Sequence, residues 1–202
     1  SSAHCRYQQQ DRHQRPIDRP HVLGGNFMDN DTNIAPRILI AVDDHDVRRI
    51  SVAGLRAAGF SVSAPTDADA AKRGFEELAS EAGVPDVVIY NPAVMPMYSF
   101  AELTPEGLQE ALPVMVYGAI NTVQAVLPEM RKRGSGTLLF TGGGFAVEPS
   151  VPRAPHSMAK AALRNYAHGL FLELEEEGIH AGTVTVHRPI QPGEDMEKCT
   201  AT

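Results

Sequence analysis

Thr137-Leu-Leu-Phe-Thr141, the glycine run Gly142-Gly-Gly144, the long stretch Ser157–Glu177 and Ala181-Gly-Thr-Val-Thr-Val186 decide the fold. The first and last of these are short, apolar and rich in residues suited to strands that are buried on both faces. Between them, Leu163, Tyr166, Ala167, Leu170, Phe171 and Leu174 recur at helical spacing, and Gly178 supplies a stop. Two strands joined by a helix of this length form a right-handed parallel crossover.

The same alternation runs outward toward the N-terminus. Arg37-Ile-Leu-Ile-Ala-Val42 reads as a buried strand, and Val47–Ala58 as a helix with Ile50, Leu55 and Ala58 near one face and Gly59 as its end. Phe60-Ser-Val-Ser-Ala64 is a weaker strand, Asp67–Ala82 a helix with Phe75 and Leu78 inward, and Asp86-Val-Val-Ile-Tyr90 a further strand. Thr104 is a plausible N-cap with proline next to it, opening a helical stretch to Arg133 that Pro113 kinks or restarts. Repeated strand–helix units of this kind predict a doubly wound α/β domain, a parallel sheet with helices on both faces.

Composition bounds the function. The 202 residues suffice for one domain with a sizeable core, and 43% hydrophobic with 21% charged residues is ordinary for a globular protein. A net charge of -7 opposes a general nucleic-acid or anionic-membrane role, because phosphate surfaces attract basic faces. No uninterrupted apolar run approaches a bilayer span, and a cytoplasmic location is expected. Cys5 and Cys199 lie at opposite ends without a disulfide or zinc pattern. Residues 1–36 are polar, with His4, His13 and His21 among Gln, Arg and Asp, and are expected to be disordered. The expected division is therefore a tail at 1–36, a domain at 37–190 and a C-terminal tail at 191–202.

Several stretches carry a resemblance in order and spacing. Asp86-Val-Val-Ile-Tyr-Asn-Pro-Ala93, Asn121-Thr-Val-Gln-Ala-Val-Leu-Pro-Glu-Met130, Gly136-Thr-Leu-Leu-Phe-Thr141, Lys160-Ala-Ala-Leu163 and Val184-Thr-Val186 are similar to segments of the short-chain dehydrogenase/reductase superfamily. The resemblance implies a Rossmann-like sheet, NAD or NADP as cofactor, a small carbonyl or alcohol substrate, and a homodimer paired through its two long helices. It implies cofactor contacts at Asn91, Lys160 and Pro189. In the family a lysine follows a catalytic tyrosine by four residues, with a serine and an asparagine completing the set. Lys160 matches the lysine; His156 stands at the tyrosine position, Gly143 at the serine and Met115 at the asparagine.

This pattern leaves the active site degenerate and His156 open to two readings. An imidazole can exchange a proton near neutral pH, with Lys160 beside it. It can equally be a loop histidine just ahead of a helix that Ser157 caps. Ser157 or Thr141 could serve as donor to a carbonyl. The glycine run permits close approach of a ligand, or forms a turn that needs positive φ.

The cofactor end departs further. Val42-Asp-Asp-His-Asp-Val-Arg-Arg49 has no glycine where a dinucleotide fold places its tight turn, and three aspartates would face the phosphates. About one strand–helix unit is absent after Phe60-Ser-Val62, so the sheet is shortened relative to the family. The chain also stops soon after Arg188-Pro-Ile190. The activity class that the resemblance implies is an NAD(P)-dependent oxidoreductase, with a non-catalytic scaffold or interaction protein as the alternative.

Ile38-Leu-Ile-Ala-Val-Asp-Asp-His45 with Pro85-Asp-Val-Val-Ile-Tyr-Asn91 also resembles a response-regulator receiver domain, although Asn91 is an amide where that family needs an aspartate to phosphorylate. Asp43, Asp44, His45 and Asp46 admit a metal-site reading beside that of a solvated acidic helix start.

Overall fold

The computed structural model describes residues 35–42, 44–64 and 84–187. Residues 1–34 of the expected disordered segment, Asp43, the helix Asp67–Ala82, both cysteines, Pro189 and the C-terminal tail lie outside the described residues.

Five parallel strands form the sheet: β1 (Arg37–Ala41), β2 (Ser61–Ser63), β3 (Val87–Tyr90), β4 (Gly136–Gly143) and β5 (Ile179–Val186), in the order β2-β1-β3-β4-β5. The register pairs Leu39 with Val88, Val88 with Leu138, and Leu138 with Ala181. The doubly wound α/β expectation holds. The order is what a sheet of order 3-2-1-4-5-6 leaves when the unit beyond its second strand is removed. It equally matches the 2-1-3-4-5 order of flavodoxin-like sheets, so strand order alone does not separate the two resemblances.

Both faces of the sheet are covered. Leu39, Ala41, Val88, Tyr90, Leu138 and Phe140 pack on one face against α3 (Gly118–Arg133) and α4 (Ala154–Leu174). Ile38, Ile40 and Val42 point to the other face, where Val52 and Leu55 of α1 (His45–Ala57) meet them. Alternate residues of one strand feed different cores because side chains switch face at each position. Ile50, expected inward on α1, is 65% exposed; the inward stripe runs through the expected Leu55 and through Val52.

The stretch from Thr104 is broken into pieces. Thr104 caps α2 (Pro105–Gln109), its hydroxyl accepting from the Gly107 amide at 3.2 Å. A π-turn over Pro113–Tyr117 follows, and α3 starts at Gly118, whose amide donates to Pro113 O. Proline brings no amide to the helix ladder, and the Tyr90 hydroxyl donates to the Val114 carbonyl within this irregular turn. Taken together, Pro105–Arg133 is one helical stretch long and apolar enough to cross a membrane, with a mean hydropathy of 1.3. No single apolar run shows this in the sequence, but Met115, Ala119, Val123, Val126 and Met130 on it are buried in the protein core.

The helix ends fix how α3 and α4 meet the sheet. Arg133 Nη1 donates to Asp86 Oδ1 at 2.8 Å, and Asp86 Oδ2 accepts from the Arg37 amide at 2.8 Å. Gly178, after α4, has φ 73°, and a Cβ there would collide with the Gly134 carbonyl. These clasps lie at the end of the sheet opposite the site.

Candidate functional site

The site is built where β3 and β4 end and α4 begins. α4 starts at Ala154, three residues earlier than the sequence suggests, with Pro155 in its first turn where a missing amide is harmless. His156 is therefore a helical residue, not a loop histidine ahead of the helix. Ser157 does not cap: Arg153 is the N-cap residue, and the Ser157 hydroxyl donates to Arg153 O at 2.9 Å and accepts from the Ser150 amide at 3.2 Å. It is buried and committed to its own loop, which removes it as a donor to substrate.

The loop after β3 reaches across to this first turn. Tyr98 bridges Arg153, and Ala154 N donates to Tyr98 O at 3.0 Å. Within the same loop, Val94 O lies 2.8 Å from His156 Nδ1. The Phe145 ring lies nearly perpendicular to the imidazole, 5.9 Å between centroids. His156 is only 4% exposed. Burial holds its pKa below the ordinary 6.5, the Val94 hydrogen bond opposes this, and the Lys160 and Arg153 cations lower it further.

Lys160 is one turn along the same face, 3% exposed, with Nζ donating to Thr141 O at 2.6 Å. Thr141 thus serves through its main chain, as the acceptor that places the lysine, a role no side-chain pattern reveals. Asn91 stands at the end of β3, its amide donating to Ala41 O at 2.8 Å. Met115 is fully buried with Ala111 and Ala159, so the position of the family's asparagine is apolar core. Val94 and Phe145 were missed by sequence reasoning, because neither a carbonyl nor a ring edge has a motif.

The glycine run is not a turn of positive φ. Among the described residues only Gly59, Gly134 and Gly178 have that backbone. Gly142 is required by packing, since a Cβ would come within 2.7 Å of Thr183 Oγ1. A Cβ on Gly144 would come 3.0 Å from His187 Nδ1, a tight approach. Gly143 differs: its backbone is extended (φ -143°, ψ 150°), and a Cβ would meet nothing nearer than His156 Nε2 and Lys160 Cγ, both at 3.9 Å. A methyl there would sit in ordinary contact with both candidate residues.

At the other end of the sheet's C-terminal edge, Asp44 caps α1. Its Oδ1 accepts from the amides of Asp46 at 2.9 Å and Val47 at 2.8 Å. Among the described residues, no cluster of three metal-ligating side chains exists.

A family model for short chain dehydrogenase matches residues 47–189. The chain belongs to the short chain dehydrogenase family. The match begins inside α1, after the glycine-free junction with β1. An oxidoreductase, asL5, from Sarocladium schorii is 28% identical over 130 residues, 64% of this chain and 51% of that protein. Dehydrogenase/reductase SDR family member 4 of Bos taurus is 31% identical over 134 residues, 64% of this chain and 48% of that protein. The chain spans about half the length of these curated relatives. A gluconate 5-dehydrogenase from Burkholderia cenocepacia, solved with NADP and tartrate, superposes with a TM-score of 0.62 at 17% identity, over 75% of this chain and 71% of that one. Family membership decides between the two resemblances that strand order left open, in favour of the dehydrogenase.

A nicotinamide dinucleotide would meet different surroundings at its two ends. The nicotinamide–ribose end would meet a buried ammonium, the end of β3 at Asn91 and the strand end at Gly143. The diphosphate end does not fit. Helix amides that would receive phosphate already donate to the Asp44 carboxylate, which also brings like charge to the place.

Proposed function

We propose that this short chain dehydrogenase relative is an oxidoreductase acting on a small alcohol or carbonyl compound with NAD or NADP. The observation that carries the reading is the buried pair Lys160 and His156 on one face of α4, beside the open strand end at Gly143. Lys160 and Asn91 would hold the nicotinamide–ribose end; Pro189, the third cofactor contact that the family resemblance implies, is outside the described residues. His156 would exchange the proton at the substrate oxygen. When bound, the nicotinamide supplies the hydride donor or acceptor.

Calorimetric titration of NADH and NADPH tests this. Saturable binding of either, abolished in Lys160→Ala, is the expected result; no binding at millimolar cofactor sinks the reading.

A second reading is favoured by the Asp44 cap: a relative that kept the scaffold and gave up the dinucleotide for another partner. It predicts no cofactor binding by an intact, folded chain. Both readings retain a domain over 37–190 with tails on either side, a cytoplasmic location and a homodimer paired through α3 and α4. Leu172, 66% exposed on α4, is an apolar side chain suited to such a contact. Light scattering on the purified chain measures the dimer directly.

A further inference from the structure

We infer that the site presents His156 Nε2 as a hydrogen-bond acceptor, and so takes a hydroxyl-bearing ligand, an alcohol, in preference to the matching carbonyl compound. The inference deepens the Lys160–His156 reading and rests on it.

The tautomer follows from the partner. Val94 contributes a main-chain oxygen, which has no proton to give, so the 2.8 Å contact requires the proton on Nδ1. In a neutral imidazole the other nitrogen then carries a lone pair. Nε2 has no hydrogen-bond partner among the described residues and looks toward the space beside Gly143.

The surroundings keep it in that form. Lys160, one turn further along α4, and Arg153, at its start, are both cations and oppose a second proton. Among the described residues, His187, just past β5 and next to Gly144, is a further titratable side chain near this strand end. From the Val94 loop the imidazole meets the Val94 carbonyl, and from Phe145 an uncharged ring.

A ligand oxygen entering beside Gly143 therefore meets a lone pair. A hydroxyl can donate to it; a carbonyl oxygen can only accept, and would face repulsion. The position that would hold a donor hydroxyl for a carbonyl is itself glycine. Both features select in the same direction.

The test uses the full chain with isotope-labelled histidine and nitrogen NMR at neutral pH, without cofactor. The expected result is a His156 ring protonated at Nδ1 and bare at Nε2, assigned by its loss in His156→Gln. Gly143→Ser, whose Cβ would sit 3.9 Å from Nε2, should shift the Nε2 resonance and spare Nδ1, giving a second assignment should the first variant fail to fold. Cyclohexanol and cyclohexanone then serve as the probe pair, and cyclohexanol should give the larger Nε2 shift. A proton on Nε2, an imidazolium at neutral pH, or a response to the ketone as large as to the alcohol overturns the inference. Because no nicotinamide is present, failure here is distinct from failure to bind cofactor.

Discussion

The Lys160 ammonium donates to the main-chain oxygen of Thr141 at 2.6 Å, tying the middle of α4's first half to the end of β4. A buried cation with a carbonyl partner is costly to disturb, because the orphaned acceptor loses hydration as well as its bond. Lys160→Met should therefore lower stability by about 1–3 kcal/mol, measured by urea unfolding. It should also abolish cofactor binding if the proposed reading holds; retained binding would remove Lys160 from the site.

His156 makes stability depend on pH. Its folded pKa is depressed below 6.5, chiefly by burial, so the unfolded chain binds the proton more readily. Its contribution is fully present above the unfolded value and is lost as pH falls through the folded one. The melting temperature should fall as pH is lowered from neutral into the mildly acidic range, and this part of the slope should be missing in His156→Gln. An identical slope in both proteins would show that other groups dominate.

Asp44→Gly separates capping from cofactor exclusion. Glycine is a tolerated N-cap, so the stability loss should be only a few tenths of a kcal/mol, against about 1 kcal/mol for Asp44→Ala. Both variants leave the Asp46 and Val47 amides available. If the cap is what opposes the diphosphate, NADH affinity in calorimetry should rise several-fold in Asp44→Gly; an unchanged affinity would assign the misfit to the rest of the β1–α1 junction.

Neighbouring glycines should respond in opposite ways. Gly142→Ala drives a methyl to 2.7 Å from Thr183 Oγ1 and should destabilise by about 1–3 kcal/mol. Gly143→Ala has room and ordinary extended dihedrals, so it should be neutral or stabilise by about 0.4–1 kcal/mol through the unfolded chain. Thermal melts of the two variants decide it, and equal losses would contradict the packing.

The sequence by itself determined the alternation of strands and helices, the doubly wound class, the Thr104 cap and the candidacy of Lys160. Each of these is carried by local spacing: apolar periodicity, a capping residue before proline, or a lysine within a short motif. Its reading of Ile50 failed because a helix turned slightly about its axis offers Val52 beside the expected Leu55, and only the opposing strands choose. The role of Gly143 was hidden for a related reason, since a glycine that leaves space looks the same in sequence as one that makes a turn.

Tertiary structure alone decided what His156 is. Its partner Val94 is 62 residues away, its helix begins earlier than periodicity indicated, and its proton position follows from a carbonyl that has no side-chain signature. Asp44 belongs with it: three nearby aspartates are legible as acidity, but which helix amides a carboxylate occupies depends on the backbone path out of β1. Patterns along a chain report which residues are buried; hydrogen-bond direction and unfilled space are properties of where distant segments meet.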